Sequence, residues 1–134
     1  MIAFLKGRLA GKTAAAAFID VNGVGYAVGM SQASLSKLPE AGASVEVHTY
    51  LQVRDDAIAL YGFMTVEEKA LFERLIGVGG VGPKVALAAL SVFTPQALVA
   101  AIAAQDVAAV SKIPGVGMVV LSVLLISADV YTRI

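Results

Sequence analysis

The chain contains no cysteine, no tryptophan and a single histidine among its 134 residues. Without cysteine it has neither a disulfide framework nor a thiolate metal site, which excludes a small disulfide-stabilised secreted fold. Ten basic and ten acidic residues cancel, and this balance excludes the strongly basic surface of many nucleic-acid-binding proteins. Phosphate binding through backbone amides and a few lysines remains compatible with it.

Long hydrophobic runs are also absent, although apolar residues make up 58% of the chain. No run approaches the roughly 20 residues that cross a bilayer; the longest, residues 118–126, is interrupted by Ser122. Lys6 and Arg8 occupy the part of the N-terminus where a signal peptide needs an apolar segment. We therefore expect a cytoplasmic protein.

Residues 2–63 have the pattern of short strands separated by turns. The pair Asn22-Gly23 lies between two apolar runs, and it favours a hairpin because a type I′ turn needs positive φ at both central residues. Alternation along residues 45–53 predicts one strand face, formed by Val45, Val47, Thr49, Leu51 and Val53. Five or six short strands with one small helix predict a compact β-barrel such as an OB-fold.

The pattern changes to helical after Phe63. Thr65 and Glu68 are spaced as a capping box, and apolar residues then recur every three or four positions. We place a domain boundary here, with a barrel domain over residues 1–63 and an all-α domain over residues 64–134. The expected fold class is α+β with two domains, and we expect five helices in the second one.

A glycine-rich segment over residues 76–84 (IGVGGVGPK) separates two of these predicted helices. Pro83 suits the first position of a helix, and helix N-terminal amides beside a lysine favour a bound phosphate. A similar phrase, IPGVG, returns 35 positions later at residues 113–117, so we expect two helix-hairpin-helix units. The candidate DNA-binding residues are Gly80, Val81, Gly82 and Lys84 in the first copy and Gly115, Val116 and Gly117 in the second.

Other interpretations of the glycine-rich segment are weaker. It matches G-x-G-x-x-G, but a dinucleotide site needs that pattern directly after a strand, and here a predicted helix precedes it. A phosphate-binding Walker loop fails because Pro83 separates the last glycine from Lys84 and no serine or threonine follows. A helix-helix turn without a ligand is the plainer alternative, and the second copy favours phosphate contact over it.

Two adjacent carboxylates, Asp55 and Asp56, lie in the tight connection between two predicted strands. Taken alone, they indicate an ordinary solvated turn, since aspartate is favoured in turns. No further carboxylate or histidine stands nearby in sequence to complete a catalytic or metal site, and an exposed strand position explains His48. We therefore expect no enzyme, no cofactor and no bound metal.

Together these features resemble the RuvA family, whose members bind Holliday junctions during branch migration. The resemblance extends from Met1 to about Gly117. It is carried by five short motifs in order, namely NGVGY at residues 22–26, VRDD at 53–56, LYGF at 60–63, GVGPK at 80–84 and IPGVG at 113–117.

The resemblance implies an OB-fold domain, a tandem helix-hairpin-helix domain and a homotetramer that holds a four-way junction open. It also implies that Asp55 and Asp56 form an acidic pin at the junction centre, where negative charge repels the crossover phosphates. In the family, the RuvB ATPase supplies the motor and the RuvC resolvase is a further partner. The protein would thus act in recombination and repair without an active site of its own.

The sequence departs from the family pattern in two places. The chain ends at residue 134, before the family's C-terminal ATPase-binding domain, so we do not expect direct coupling to RuvB. After Gly117 the family has two lysines and an amphipathic helix, whereas this chain has Met118, Val119 and an apolar tail over residues 118–134. We expect the second hairpin to bind DNA more weakly for lack of those cations.

Binding of four-way junctions by a homotetramer is the function that the sequence favours. A general, non-sequence-specific binder of duplex or single-stranded DNA, using the same hairpins and the barrel, is the alternative within the DNA-binding class. An assembly module that binds no DNA and associates through its apolar tail is the alternative from another class.

Overall fold

A computed structural model describes residues 1–114 of the chain. The chain divides into two compact units, Met1–Lys69 and Ala70–Ile134. The first is a β-barrel with a short helix, and the described part of the second is helical. The domain boundary at residues 63–64 marks the change from strand to helix and remains a sequence-based prediction.

The first unit contains five strands that form a closed barrel in the order β1-β2-β3-β5-β4. Their bounds are Phe4–Lys12 for β1, Ala16–Val21 for β2, Val24–Gly29 for β3, Ser44–Val53 for β4 and Ile58–Phe63 for β5. Neighbouring strands are antiparallel except β3 and β5, which meet in parallel at Gly29 and Tyr61. The predicted OB-like barrel is confirmed.

Strand alternation explains how the barrel is filled. Inward-facing side chains of β1, β2, β3 and β4 form one apolar core that includes Leu9, Ile19, Val28 and Val47, and these four are almost completely buried. The predicted Asn22-Gly23 turn is present, with φ of 52° and 90° at its two residues. Positive φ at both positions is what a type I′ turn between two twisted strands requires.

Strands β4 and β5 continue beyond the closed part of the barrel. The register of β1 with β4 ends at Phe4 and His48, with one further backbone bond from the Thr49 amide to the Ala3 carbonyl at 2.9 Å. Strands β4 and β5 instead stay in register to the pair Val53 and Ile58. The backbone amide of Arg54 closes the turn by donating to the Ala57 carbonyl at 2.8 Å. We call residues 50–60 the acidic ribbon.

A short helix, α1 (Gln32–Ser36), connects β3 to β4. Ser31 caps it by accepting a hydrogen bond from the Ser34 amide, and both serines are buried. At its other end, Lys12 Nζ donates to the Leu35 carbonyl at 2.9 Å. Both ends of α1 therefore have polar partners within the barrel unit, as buried backbone groups require.

Four further helices follow the barrel within the described residues: α2 (Val66–Ile76), α3 (Pro83–Val92), α4 (Pro95–Ala103) and α5 (Val107–Val110). The predicted caps are confirmed at Thr65, Thr94 and Asp106, whose side chains accept from the amides of Glu68, Ala97 and Ala109 respectively. Pro83 is the first residue of α3, as predicted. The predicted fifth helix, after Gly117, lies outside the described residues.

The helical unit buries the apolar faces of these helices. Leu71, Phe72 and Leu75 of α2, Leu90 of α3, and Leu98 and Ile102 of α4 are all at most 4% exposed. Within residues 1–114, no single helix is long and apolar enough to span a membrane, although α3 and α4, bent by 101° at their junction, pass that test as a pair.

Candidate nucleic-acid interface

The first glycine-rich hairpin, residues 77–82, is held by three local backbone hydrogen bonds, each between residues three positions apart. The amides of Gly77, Val78 and Val81 donate to the carbonyls of Arg74, Leu75 and Val78 at 3.2, 3.1 and 3.0 Å. Among the described residues, no backbone carbonyl accepts from the amides of Gly80 or Gly82. These two amides are thus free of the hairpin's own backbone pairing and suited to an external acceptor.

The conformation of the hairpin favours glycine at Gly80 and leaves open space at Gly82. Gly80 has a φ of 86°, in the left-handed region that side chains with a Cβ rarely adopt. Gly82 is the N-cap of α3 in extended conformation, and a Cβ there would meet no atom within 4 Å. Neither backbone strain nor packing therefore requires glycine at Gly82, and the space at its Cβ position is open.

Lys84 and Val81 contribute differently to this loop. Lys84 is exposed in the first turn of α3, where its ammonium group adds positive charge to that of the helix N-terminus. Val81 is only 6% exposed, and its amide is already bonded to Val78. The structure therefore gives Val81 a packing role in the loop, while the amides of Gly80 and Gly82 lack a backbone acceptor and Lys84 is exposed.

The second copy begins with the same geometry at an offset of 35 residues. The amides of Lys112 and Ile113 donate to Ala109 and Val110 at 3.2 Å, matching the bonds of Gly77 and Val78 in the first copy. Ile113 is buried as Val78 is. The predicted repeat is therefore confirmed up to residue 114. Its candidate residues Gly115, Val116 and Gly117 lie outside the described residues.

The predicted acidic pair lies at the tip of the acidic ribbon. Asp55 and Asp56 are exposed, as is every residue from 53 to 58. Arg54 offsets part of their charge and leaves the tip with a net negative sign. Because the tip lies past the closed part of the barrel, its carboxylates are exposed to solvent at the end of a short two-stranded ribbon.

The sequence interpretation missed the surface that flanks this tip. Val53 shares a strand face with the core residues Val45 and Val47, as predicted, yet it is 62% exposed, and its cross-strand partner Ile58 is 72% exposed. Both lie where β4 and β5 have left the barrel. The alternation of apolar and polar residues predicts which face of β4 a side chain occupies, but not where along the strand the core ends. The exposure of Val53 follows from the register of β1 against β4, which the sequence pattern does not give.

The described residues provide little for cofactor or metal chemistry. Within residues 1–114, no group of three or more histidine, aspartate and glutamate side chains is placed to hold a metal ion. His48 lies on β4 opposite Phe4. The groups described in the first hairpin, backbone donors and a lysine, are of the kind that bind anions, and the carboxylates of the acidic tip are of the kind that repel them.

An OB-like barrel followed by paired helix-hairpin-helix units defines a class of modular protein built for nucleic-acid recognition. Family models match both parts of the chain: the RuvA N-terminal domain over residues 1–62, and the SAM-like helix-hairpin-helix tandem over residues 72–118. The chain belongs to the RuvA family.

Curated relatives agree with this assignment. Over 117 residues, the chain is 51% identical to a protein of Acidobacterium capsulatum, 50% to one of Symbiobacterium thermophilum and 48% to one of Pseudomonas syringae pv. syringae. Each is named Holliday junction branch migration complex subunit RuvA. The match covers 87% of this chain but only 57–59% of those relatives, so the chain spans little more than half of their length.

Proposed function

We propose that this protein is a DNA-binding subunit that recognises four-way junctions and holds them open as a homotetramer. It has no motor in this proposal; a partner ATPase of the RuvB type would drive branch migration in recombination and repair, in the cytoplasm. Junction DNA, RuvB and the RuvC resolvase are the partners suggested by the family.

The observation that carries this proposal is the exposed acidic tip of the ribbon. Hairpins that bind phosphate would suit any duplex, so they support DNA binding without selecting a junction. Carboxylates at the end of a projecting ribbon repel phosphates. They therefore favour a DNA substrate in which the strands separate and leave a space for the tip. A four-way junction has such a centre, and a continuous duplex does not. Asp55 and Asp56 are therefore the proposed pin.

The hairpins supply the affinity in this proposal. Gly80 and Gly82 amides, with Lys84, would bind the DNA backbone of one arm, and Gly115, Val116 and Gly117 would serve the second hairpin. Val81 would support the first loop. Contacts of this kind read no base sequence, because phosphates are the same at every step, and they weaken as salt rises.

A mobility-shift experiment tests the proposal. The protein is titrated into a labelled four-way junction and into a linear duplex of the same length and composition, across a series of salt concentrations. We expect tighter binding of the junction at every salt concentration, with binding of both substrates falling as salt rises. Equal affinity for the two substrates would instead indicate a general duplex binder, and no binding would indicate an assembly module.

The oligomeric state is measured separately. Light scattering coupled to size exclusion gives the mass of the free protein and of its junction complex. A complex with four protein chains, or a multiple of four, supports the tetramer, because one subunit per arm matches the symmetry of a four-way junction. A monomer or dimer on the junction would contradict it.

A further inference from the structure

The acidic ribbon has a charged tip, but the strand residues next to that tip are apolar. Val53 and Ile58 form the last cross-strand pair before the turn, and with exposures of 62% and 72% they are among the most exposed large apolar side chains described. We call this pair the apolar neck. Adjacent exposed apolar side chains on a projecting element form a candidate interaction surface.

We propose that the apolar neck packs against nucleobases at the centre of a bound four-way junction, keeping the central base pairs unstacked. This inference rests on the proposed function and deepens it. The acidic tip would set where the ribbon enters, by repelling phosphates, and the neck would supply the favourable contact that keeps it there.

Charge and position select bases as the occupant. Asp55 and Asp56 lie within three residues of each neck side chain, so a group that reaches the neck must tolerate nearby negative charge. Phosphates are repelled, whereas uncharged base faces are not, and apolar side chains commonly pack against base steps that they have unstacked. A contact with another copy of the chain is the alternative occupant, and the oligomer mass in the test below identifies it.

The backbone of the ribbon is suited to such a wedge. Its two strands remain paired from Tyr50 and Tyr61 to Val53 and Ile58, and the Arg54 amide bond closes the turn. Both neck residues are β-branched, which limits their side-chain rotamers and lowers the entropy lost on contact. The neck therefore presents a fixed apolar surface.

The test replaces both neck residues with threonine, as Val53→Thr with Ile58→Thr. Threonine keeps the β-branched shape and the strand preference, while a hydroxyl replaces an exposed methyl group at Val53 and the exposed ethyl group at Ile58. The matched control is Val24→Thr, which changes an exposed valine (54%) at the start of β3. Val24 adjoins the Asn22-Gly23 turn, whereas the neck lies at the end of β4 and β5.

The measurement is the fluorescence of 2-aminopurine placed in the base pairs that flank the crossover, because this base brightens when it unstacks. We expect the wild-type protein and Val24→Thr to raise the fluorescence equally. The double variant should raise it far less and bind the junction roughly tenfold more weakly, with unchanged affinity for linear duplex. Circular dichroism and thermal unfolding check that all three proteins are equally folded.

Two outcomes would overturn the inference. If the double variant binds junctions normally and gives the wild-type fluorescence, the neck does not contact bases; a changed oligomer mass with normal fluorescence would assign it to a contact between copies. If the wild-type protein shows no preference for junction over duplex, the proposed function fails and this inference fails with it. The wild-type comparison therefore distinguishes the two failures.

Discussion

The Ser34 hydroxyl donates a hydrogen bond of 2.8 Å to Glu68 Oε1, and this bond joins α1 of the barrel to the first turn of α2. Burial raises the pKa of Glu68 above its ordinary value of 4.5, while the bond from Ser34 and the charge of Lys37 act in the opposite direction. The cost of removing the carboxylate from water is thus the largest of the three effects.

This pKa has a direct consequence for stability. Because the folded state holds the Glu68 proton more tightly than the unfolded state, the contribution of Glu68 to folding is fully present below pH 4.5 and is lost as pH rises through the raised pKa. Glu68→Gln keeps an acceptor for Ser34 and removes the charge. We expect the melting temperature of Glu68→Gln, measured relative to that of the wild type, to rise by a few degrees between acidic and neutral pH.

Glu67→Gln is the matched control for this prediction. Glu67 is exposed and lies in the same first turn of α2, so it reports the loss of a favourable charge near a helix N-terminus. Thermal unfolding of all three proteins from pH 4 to 7.5 separates the two effects. Parallel pH profiles for Glu68→Gln and the wild type would show that Glu68 does not contribute in this way.

The positive φ of Gly80 predicts a position-specific effect on stability. Gly80→Ala should destabilise the helical unit by roughly 1–2 kcal/mol, because alanine is strained in the left-handed region. Gly79→Ala should be tolerated, since its backbone is outside that region and a Cβ would meet nothing within 4 Å. Denaturant unfolding gives the two free energies, and equal losses would contradict the assignment of the strain to Gly80.

Lys84 should contribute one ionic contact to DNA binding. We expect Lys84→Gln to weaken binding of junction and linear duplex by the same factor, and to reduce the slope of log affinity against log salt by about one. Lys6→Gln, an exposed lysine on β1 outside both hairpins, is the control of equal charge change. An unchanged slope of log affinity against log salt for Lys84→Gln would show that Lys84 makes no ionic contact with DNA.

The acidic tip should select the junction without adding affinity. Asp55→Asn with Asp56→Asn removes repulsion from the phosphates, so we expect junction binding to be preserved or tightened and the preference over duplex to shrink. Glu40→Gln with Glu46→Gln makes the same charge change elsewhere on the barrel unit. Competition binding compares the pairs; a large loss of junction affinity for the aspartate variant would contradict repulsion as its role.

Much of the fold was predictable because local signals agreed with the final structure. The Asn22-Gly23 turn, the caps at Thr65, Thr94 and Asp106, and Pro83 at the start of α3 all act within a few residues. The repeat was visible for the same reason, since the bonds described in both copies join residues three positions apart.

Other properties depend on residues that are distant in the sequence. Glu68 was predicted as part of a capping box, but its carboxylate reaches Ser34, 34 positions earlier. Val53 was placed on the face of β4 that carries the core, but its exposure depends on the N-terminal segment bonding β4 no further than Thr49. No pattern within β4 carries that information.

The sequence by itself determined the element types, the turns, the paired hairpins and the acidic tip, because backbone preference and short-range hydrogen bonding control them. Only the tertiary structure decided where the barrel closes, and hence which apolar residues remain outside it. Closure depends on strand register, which sets the point at which β4 and β5 leave the core. That is why Val53 and Ile58 became a candidate binding surface only in the folded chain.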